Sequence, residues 1–253
     1  MTNDQFQALV WREGKRLYRP MPWRDNPSLY AVIVSELMLQ QTQVSRVLPK
    51  FAEFTTRFPD FVALAAAELP EVLRAWQGLG YNRRAKFLHQ TAQAIASGAP
   101  TATQKDLMQL PGIGAHTAGA IMNYAYETPT PFVETNIRTV YFHHYYADEQ
   151  KVSDKQLLAL VERTMDQQNP RQWFWALMDY GAHLKSQGAG NLTKSRHYKK
   201  QSAFDGSVRQ LRGEIIRRQA AGQPLAAIEQ ELATDHRWRA AITGLRRDGL
   251  LSS

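Results

Sequence analysis

The stretch that decides the fold is Leu110-Pro111-Gly112-Ile113-Gly114-Ala115-His116-Thr117-Ala118-Gly119-Ala120-Ile121. Two glycines separated by one apolar residue open a helix directly after a preceding helix. Glycine permits a positive φ and lets another backbone approach closely. Amide groups at such a helix start point outward at the positive end of the helix dipole, which suits a phosphate. We therefore predict that Gly112 and Gly114 bind a phosphate backbone. A purely structural turn between two helices is the alternative.

Helical periodicity dominates on both sides of this stretch, and long alternating strand patterns are absent. Pro and Gly clusters punctuate the pattern. At 253 residues the chain exceeds the usual size of one compact helical domain, so we expect two or three structural units. The pattern predicts an all-α protein with helices over 4–18, 29–58, 82–96, 107–126, 135–145, 154–165 and 171–185.

The chain changes character after residue 185. Residues 185–200 contain glycines and several cations but no acidic residue, which is typical of a basic linker. We expect four linker side chains to contact phosphates: Lys194, Arg196, Lys199 and Lys200. Three short helices and a turn at Asp248-Gly249 follow, which predict a small winged-helix-like module or a plain helical tail.

These changes predict the domain organisation. We expect a six-helix-type domain at 28–128 and a second, discontinuous helical domain at 1–27 and 129–185. The basic linker is expected at 186–200, and the C-terminal module at 201–253.

Composition limits the function classes. Lys and Arg number 31 against 23 Asp and Glu, which gives a net charge of +8 and favours a polyanionic partner. The absence of cysteine excludes disulfides, cysteine-bound zinc, iron–sulfur clusters and thiol catalysis. No apolar run approaches the ~20 residues of a membrane span. We expect no cofactor, no metal and no membrane partner, and a cytoplasmic, nucleoid-associated location.

Glu36 is the first candidate for catalysis. It lies in the apolar segment Ser35-Glu36-Leu37-Met38-Leu39-Gln40-Gln41-Thr42-Gln43-Val44, where a carboxylate is costly unless it is hydrogen-bonded or functional. This segment resembles the catalytic helix of MutY-type adenine DNA glycosylases, and the segment at 110–121 resembles the helix-hairpin-helix motif of their superfamily. The resemblance covers about residues 10 to 185. It implies a two-lobed helix-hairpin-helix glycosylase core, and it implies that Glu36 protonates N7 of adenine.

The same resemblance assigns the remaining catalytic positions. Glu134 stands where the family has an aspartate that stabilises the developing oxocarbenium ion, and Asn136 stands where the family helps to hold that aspartate. His116 stands where bifunctional relatives carry an amine nucleophile. Without that amine, we expect water to be the nucleophile and DNA strand cleavage to be absent.

The resemblance also implies a base pocket and a DNA-contacting surface. Arg19-Pro20-Met21-Pro22-Trp23-Arg24 is similar to the stretch that lines the adenine pocket, and Gly78-Leu79-Gly80-Tyr81 to a loop that intrudes into the duplex. Trp175 stands at a position where the family has a polar residue that reaches the adenine. The pocket is therefore expected to comprise Arg19, Met21, Trp23, Arg24 and Trp175. The DNA contacts are expected to comprise Gln40, Gln41, Leu79 and Tyr81, with core packing as the alternative for Leu79 and Tyr81.

Together these features predict a monomeric, monofunctional DNA glycosylase. Its expected substrate is double-stranded DNA containing a mismatch or lesion, with adenine opposite guanine or 8-oxoguanine as the first candidate. We expect neither the family's iron–sulfur cluster nor its C-terminal domain that recognises 8-oxoguanine. Two alternatives stay open. One is a glycosylase for another base, such as thymine or uracil in G mismatches or a damaged purine; the other is a non-catalytic DNA-binding protein.

Overall fold

The computed structural model describes residues 1–147, 151–189 and 203–251. They form fifteen α-helices and no β-strand, which confirms the all-α prediction. The helices are α1 (Asn3–Leu17), α2 (Pro22–Asp25), α3 (Leu29–Leu39), α4 (Val44–Arg57), α5 (Phe61–Ala66), α6 (Leu69–Ala75), α7 (Arg83–Ala96), α8 (Gln104–Leu107), α9 (Ala115–Tyr124), α10 (Thr135–Tyr145), α11 (Asp154–Thr164), α12 (Pro170–Ser186), α13 (Val208–Ala220), α14 (Leu225–Leu232) and α15 (Trp238–Arg247).

The helical pattern predicted over 29–58 is interrupted. α3 ends at Leu39 and α4 begins at Val44, and Gln41 between them has a positive φ of 55°. A non-glycine residue rarely adopts this backbone conformation, and periodicity of side chains carries no information about it. The interruption matters because it places Gln40 and Gln41 on a loop at the end of the helix that carries Glu36.

The chain divides into two compact units. Unit 1 comprises residues 1–32, 102–108 and 113–200, and unit 2 comprises residues 33–101, 109–112 and 201–253. The helices α13–α15 thus belong to the same compact unit as α4–α7. The domain boundaries expected from the sequence stay a prediction.

Unit 1 is built around α12. This helix packs against α1 and against α10, and each crossing requires a glycine. A Cβ at Gly14 of α1 would overlap Ala176, and a Cβ at Gly181 of α12 would overlap the backbone carbonyl of Asn136. The fully buried rings of Phe6, Tyr141 and Trp173 complete this core, with the Phe6 and Tyr141 centroids 5.1 Å apart.

Unit 2 joins α4–α7 to the C-terminal helices. α5 and α6 pack on α7, and α13 packs on α6, α14 and α15. Aromatic rings fill the first part, where the Phe54 and Trp76 centroids lie 6.1 Å apart. Ile215 and Ala241 are fully buried in the second part. The C-terminal helices therefore contribute to the hydrophobic core of unit 2.

We predict that Gly181→Ala destabilises unit 1. The added methyl group would meet backbone atoms, which cannot move aside as a flexible side chain can, and overpacking of this kind costs about 1–3 kcal/mol. Gly213→Ala on α13 is the matched control, because nothing lies within 4 Å of its added Cβ, and alanine favours a helix over glycine by about 1 kcal/mol. Urea denaturation measures both. Equal stability of the two variants would contradict the close crossing of α10 and α12.

Candidate functional site

The glycine-rich segment at residues 110–114 leads into the start of α9, and a helix start is the kind of site that suits an anion. Gly112 has a φ of 78°, and a Cβ there would lie 2.8 Å from the Cβ of Phe87, so both conformation and space require glycine. Gly114 is the exposed N-cap of α9, and no side chain caps this helix. His116 is exposed in its first turn. An uncapped helix start of this kind suits an anion, since the first N–H groups of a helix lack intrahelical partners.

Glu134 is the N-cap of α10. Its Oε1 accepts hydrogen bonds from the backbone N–H groups of Asn136 at 2.5 Å and Ile137 at 2.8 Å. Ser, Thr, Asp and Asn are the preferred N-caps, so a glutamate here is unusual. Burial raises the pKa of the Glu134 carboxyl above its ordinary value of 4.5, while the two backbone donors act in the opposite direction. The result is a carboxyl group held in one place by the start of its own helix.

Asn136 acts on Glu134 through its backbone. Its side-chain Nδ2 instead faces α12, where it lies 4.0 Å from the sulfur of Met178. Its carbonyl faces Gly181. The close crossing of α10 and α12 therefore fixes the helix start that holds Glu134.

Asp179 connects two of the predicted pocket residues and was missed by sequence reasoning. Its fully buried carboxylate accepts from Arg24 at 2.7 and 3.1 Å and from Nε of Arg19 at 2.7 Å. Arg24 also donates to the carbonyl oxygen of Arg19 at 3.0 Å. A carboxylate on a largely apolar helix was the signal used for Glu36, and it applies equally to Asp179 on α12. This ion-pair cluster fixes the backbone of the pocket segment.

Aromatic rings surround Arg24. Its guanidinium carbon lies 5.3 Å from the ring centroid of Trp175 and 5.4 Å from that of Tyr18, and the rings of Tyr124 and Trp175 stack with centroids 6.1 Å apart. Met21 and Trp23, which precede Arg24 in the sequence, are buried, whereas Trp175 is half-buried. The structure thus brings Arg24 and Trp175 together, and it adds two tyrosines that the sequence did not single out.

In unit 2, Glu36 is half-buried on α3 between the buried residues Ser35 and Leu37. Gln40 follows α3, and Gln41 is exposed. In the loop at residues 78–81, Leu79 is buried with 2% of its surface exposed, whereas Tyr81 is 38% exposed. Tyr81 has a positive φ of 49°. Side chains held in this sparsely populated backbone region cluster at functional sites.

Arg84 joins these two loops. Its Nη1 donates to the carbonyl oxygens of Leu37 at 2.7 Å, Met38 at 2.9 Å and Gln40 at 2.5 Å. Its Nη2 donates to Oγ1 of Thr42 at 3.0 Å and to the carbonyl oxygens of Leu79 at 3.3 Å and Gly80 at 3.1 Å.

The Arg84 guanidinium is also flanked by aromatic rings. It lies 5.4 Å from the Trp76 ring and 5.3 Å from the Tyr81 ring. Burial lowers its pKa to about 10, so the group stays charged at neutral pH. It is an internal cation that holds the end of the Glu36 helix against the Tyr81 loop.

Four predicted contacts, Lys194, Arg196, Lys199 and Lys200, lie outside the described residues. Within the described ranges, no group of three or more His, Cys, Asp or Glu side chains is placed to hold a metal ion. The helices of the same ranges include none with the length and apolar character needed to cross a membrane.

Residues 34–165 match the HhH-GPD superfamily of base excision DNA repair proteins. The chain is 46% identical over 144 residues to the adenine DNA glycosylase of Mycolicibacterium smegmatis, covering 55% of this chain and 48% of that protein. It is 34% identical over 192 residues to the adenine DNA glycosylase of Buchnera aphidicola subsp. Acyrthosiphon pisum, covering 73% of this chain and 55% of that protein. The chain thus spans about half the length of these curated relatives.

A solved structure supports the fold. The structure of a thermostable thymine-DNA glycosylase superposes with a TM-score of 0.65 at 22% identity and covers 71% of this chain and 86% of that one. The matched family segment takes in both Glu36 and Glu134 and more than half of the chain. The chain therefore belongs to the HhH-GPD superfamily of base excision DNA repair proteins.

Proposed function

We propose that the protein is a monofunctional DNA glycosylase that hydrolyses the N-glycosidic bond of adenine mispaired with guanine or 8-oxoguanine. The observation that carries this proposal is Glu134, a carboxyl group fixed by two backbone N–H groups at the start of α10. A fixed negative charge stabilises a developing sugar cation without the cost of reorganising it during the reaction. The adenine DNA glycosylases to which the chain is similar support the choice of base.

The two carboxyl groups take different roles. Glu36 donates a proton to the ring nitrogen of the departing base, so that the base leaves as a neutral molecule. Glu134 provides negative charge to the sugar as the bond to the base breaks. Water then adds to the sugar carbon, releases a proton and leaves an abasic site. His116 occupies the position of the amine in bifunctional relatives, so no Schiff base forms at this position.

Double-stranded DNA binds through two kinds of contact in this proposal. The amides at the start of α9 bind a strand backbone without reading its sequence. Gln41 and Tyr81 fill the space that the flipped nucleotide leaves, and this offsets part of the few kcal/mol that unstacking costs. The Leu79 side chain is buried, so in this proposal Leu79 supports the loop through its carbonyl oxygen, which accepts from Arg84. The protein acts as a monomer in the nucleoid.

A second candidate is a glycosylase of the same superfamily for another base. The aromatic surroundings of Arg24 favour it, since Trp175 offers a stacking face but no acceptor for the adenine amino group. A panel of duplexes with each candidate mismatch or lesion, treated with alkali after incubation, separates the two functions. Strand breaks only at adenine support the first, and breaks at another base support the second. A panel that stays intact would contradict both and favour a non-catalytic DNA-binding protein.

We predict that Glu36→Gln removes excision while leaving the fold intact. The substitution preserves shape but eliminates the titratable proton, and general acid catalysis contributes about 10²–10⁴-fold. Single-turnover excision on the preferred duplex measures the loss. The matched control is Glu53→Gln, since Glu53 is an exposed glutamate on α4 that pairs with Lys50. A loss below about threefold for Glu36→Gln would contradict its role as general acid.

Glu134 is expected to govern the acidic side of the pH–rate profile. Its carboxylate is the active form, and burial raises its pKa, so the rate should fall as the pH drops through a value above 4.5. Glu134→Asp keeps the charge but shortens its reach, so we expect partial activity. Glu134→Gln should abolish excision and leave duplex binding nearly unchanged. Wild-type excision by Glu134→Gln would exclude a role in cation stabilisation.

We predict that Arg84→Lys lowers both stability and excision. Lysine cannot reproduce the forked donors that serve the Glu36 helix end and the Tyr81 loop, and each buried carbonyl left unpaired costs about 1–3 kcal/mol. Arg57→Lys is the matched control, because the Arg57 side chain of the same unit is 45% exposed and pairs with Glu71. Urea denaturation and single-turnover excision measure the two effects. An Arg84→Lys variant as stable and active as Arg57→Lys would show that the six hydrogen bonds are dispensable.

A further inference from the structure

The helices α13–α15 bring a group of cations to one place in unit 2. We define the basic cluster as Arg83, Lys86, Arg209, Arg212 and Arg247. Arg83, Lys86, Arg212 and Arg247 meet at Asp248, which follows α15, and Arg209 lies beside Tyr81.

Asp248 contacts four of the five cations. Its carboxylate pairs with Arg212 and lies 3.9 Å from Nη1 of Arg83 and 3.7 Å from Nε of Arg247. Its carbonyl oxygen accepts from Nζ of Lys86 at 3.0 Å. The next residue, Gly249, has a φ of 62°, and a side chain there would overlap the Lys86 ammonium. One carboxylate therefore gathers several cations and leaves an excess of positive charge.

The opposite end of α13 is neutralised. Arg217 pairs with Glu214 at 2.6 Å, and Arg218 pairs with Glu214 at 2.6 Å and with Glu231 at 2.5 Å. These two arginines therefore each pair with a carboxylate, whereas four cations of the basic cluster share Asp248.

The basic cluster adjoins Tyr81. Nη1 of Arg209 lies 3.4 Å from the Tyr81 hydroxyl, and its Nη2 donates to the carbonyl oxygen of Ala203 at 3.2 Å. Phe204, the next residue after Ala203, is 56% exposed. A positively charged surface therefore runs from the exposed Tyr81 ring onto the C-terminal helices.

We propose that the basic cluster binds the phosphate backbone of duplex DNA beside Tyr81. This inference rests on the proposed function, because it assigns a second contact to the same DNA. The forked donors of arginine match phosphate oxygens in pairs. The C-terminal helices thereby add a strand contact that does not read sequence and that holds the DNA where the Tyr81 loop enters it.

The experiment compares two double variants of the full chain. Arg83→Gln with Arg209→Gln removes two cations from the basic cluster. Arg57→Gln with Arg217→Gln is the control, since it removes two exposed cations of unit 2 that pair instead with Glu71 and Glu214. Fluorescence anisotropy with an undamaged duplex gives the slope of log K against log salt. Loss of two phosphate contacts should reduce this slope by about 1.8, and the control should keep the wild-type slope.

The outcomes separate the two proposals. A wild-type slope for the cluster variant would overturn the basic cluster as a DNA contact, even if excision by the wild-type protein upholds the proposed function. An enzyme that excises no base would contradict the proposed function, yet a reduced slope would still support the DNA contact. Binding of polyglutamate with the same loss in the cluster variant, and no change with DNA, would instead show an acidic protein as the partner.

Discussion

The buried guanidinium of Arg84 is the constraint on which the rest of unit 2 depends. Its hydrogen bonds reach two segments that are distant in sequence, the end of α3 and the loop that ends at Tyr81. A helix end exposes carbonyl oxygens that lack intrahelical partners, and a buried arginine needs acceptors for its donors. The two Nη groups of Arg84 and these carbonyl oxygens therefore satisfy each other. The sparsely populated backbone conformations of Gln41 and Tyr81 adjoin residues that this cation binds, namely Gln40 and Thr42 around Gln41 and Gly80 before Tyr81.

In unit 1, polar groups at a helix start are likewise paired with a partly buried side chain, in this case Glu134 at the start of α10. Glu134 needs donors for a half-buried carboxyl group, and α10 needs acceptors for its first amides. The crossing at Gly181 keeps α10 in place, so the position of the carboxyl group follows from packing between helices. Negative charge at a helix start is also favoured by the helix dipole. The residue that we propose acts on the sugar is thus held by the same interactions that stabilise the fold.

The local features of the structure could be predicted from the sequence, and the long-range ones could not. Side-chain periodicity indicates α1 and α12, and the spacing of Gly112 and Gly114 indicates the start of α9, because these signals lie within a few residues. Arg84 carries no such signal, since its neighbour Arg83 has the same side chain and an exposed position. Three of the carbonyl oxygens that Arg84 binds come from residues 44 to 47 positions away.

The candidate site shows the same division. Glu36 and Asp179 both stand in apolar helical segments, and only the structure shows that Asp179 pairs with Arg19 and Arg24. The burial of Leu79 and the exposure of Tyr81 depend on how the loop folds against Arg84, and the sequence left both possibilities open. The sequence positions of candidate site residues could therefore be predicted where a family pattern or a helical period exists. The residues that they contact in the folded protein could not.

The ion pair between Arg24 and Asp179 has a consequence for biosynthesis. Its partners are 155 residues apart, so the carboxylate that neutralises Arg24 leaves the ribosome long after the guanidinium does. At about 5–20 residues per second the delay is on the order of ten seconds. During that time α1 has no α12 to cover Phe6 and Val10, which are fully buried in the finished protein. The nascent chain therefore exposes the apolar side chains of α1 until translation has passed α12, and chaperones that recognise such side chains can bind them in this interval.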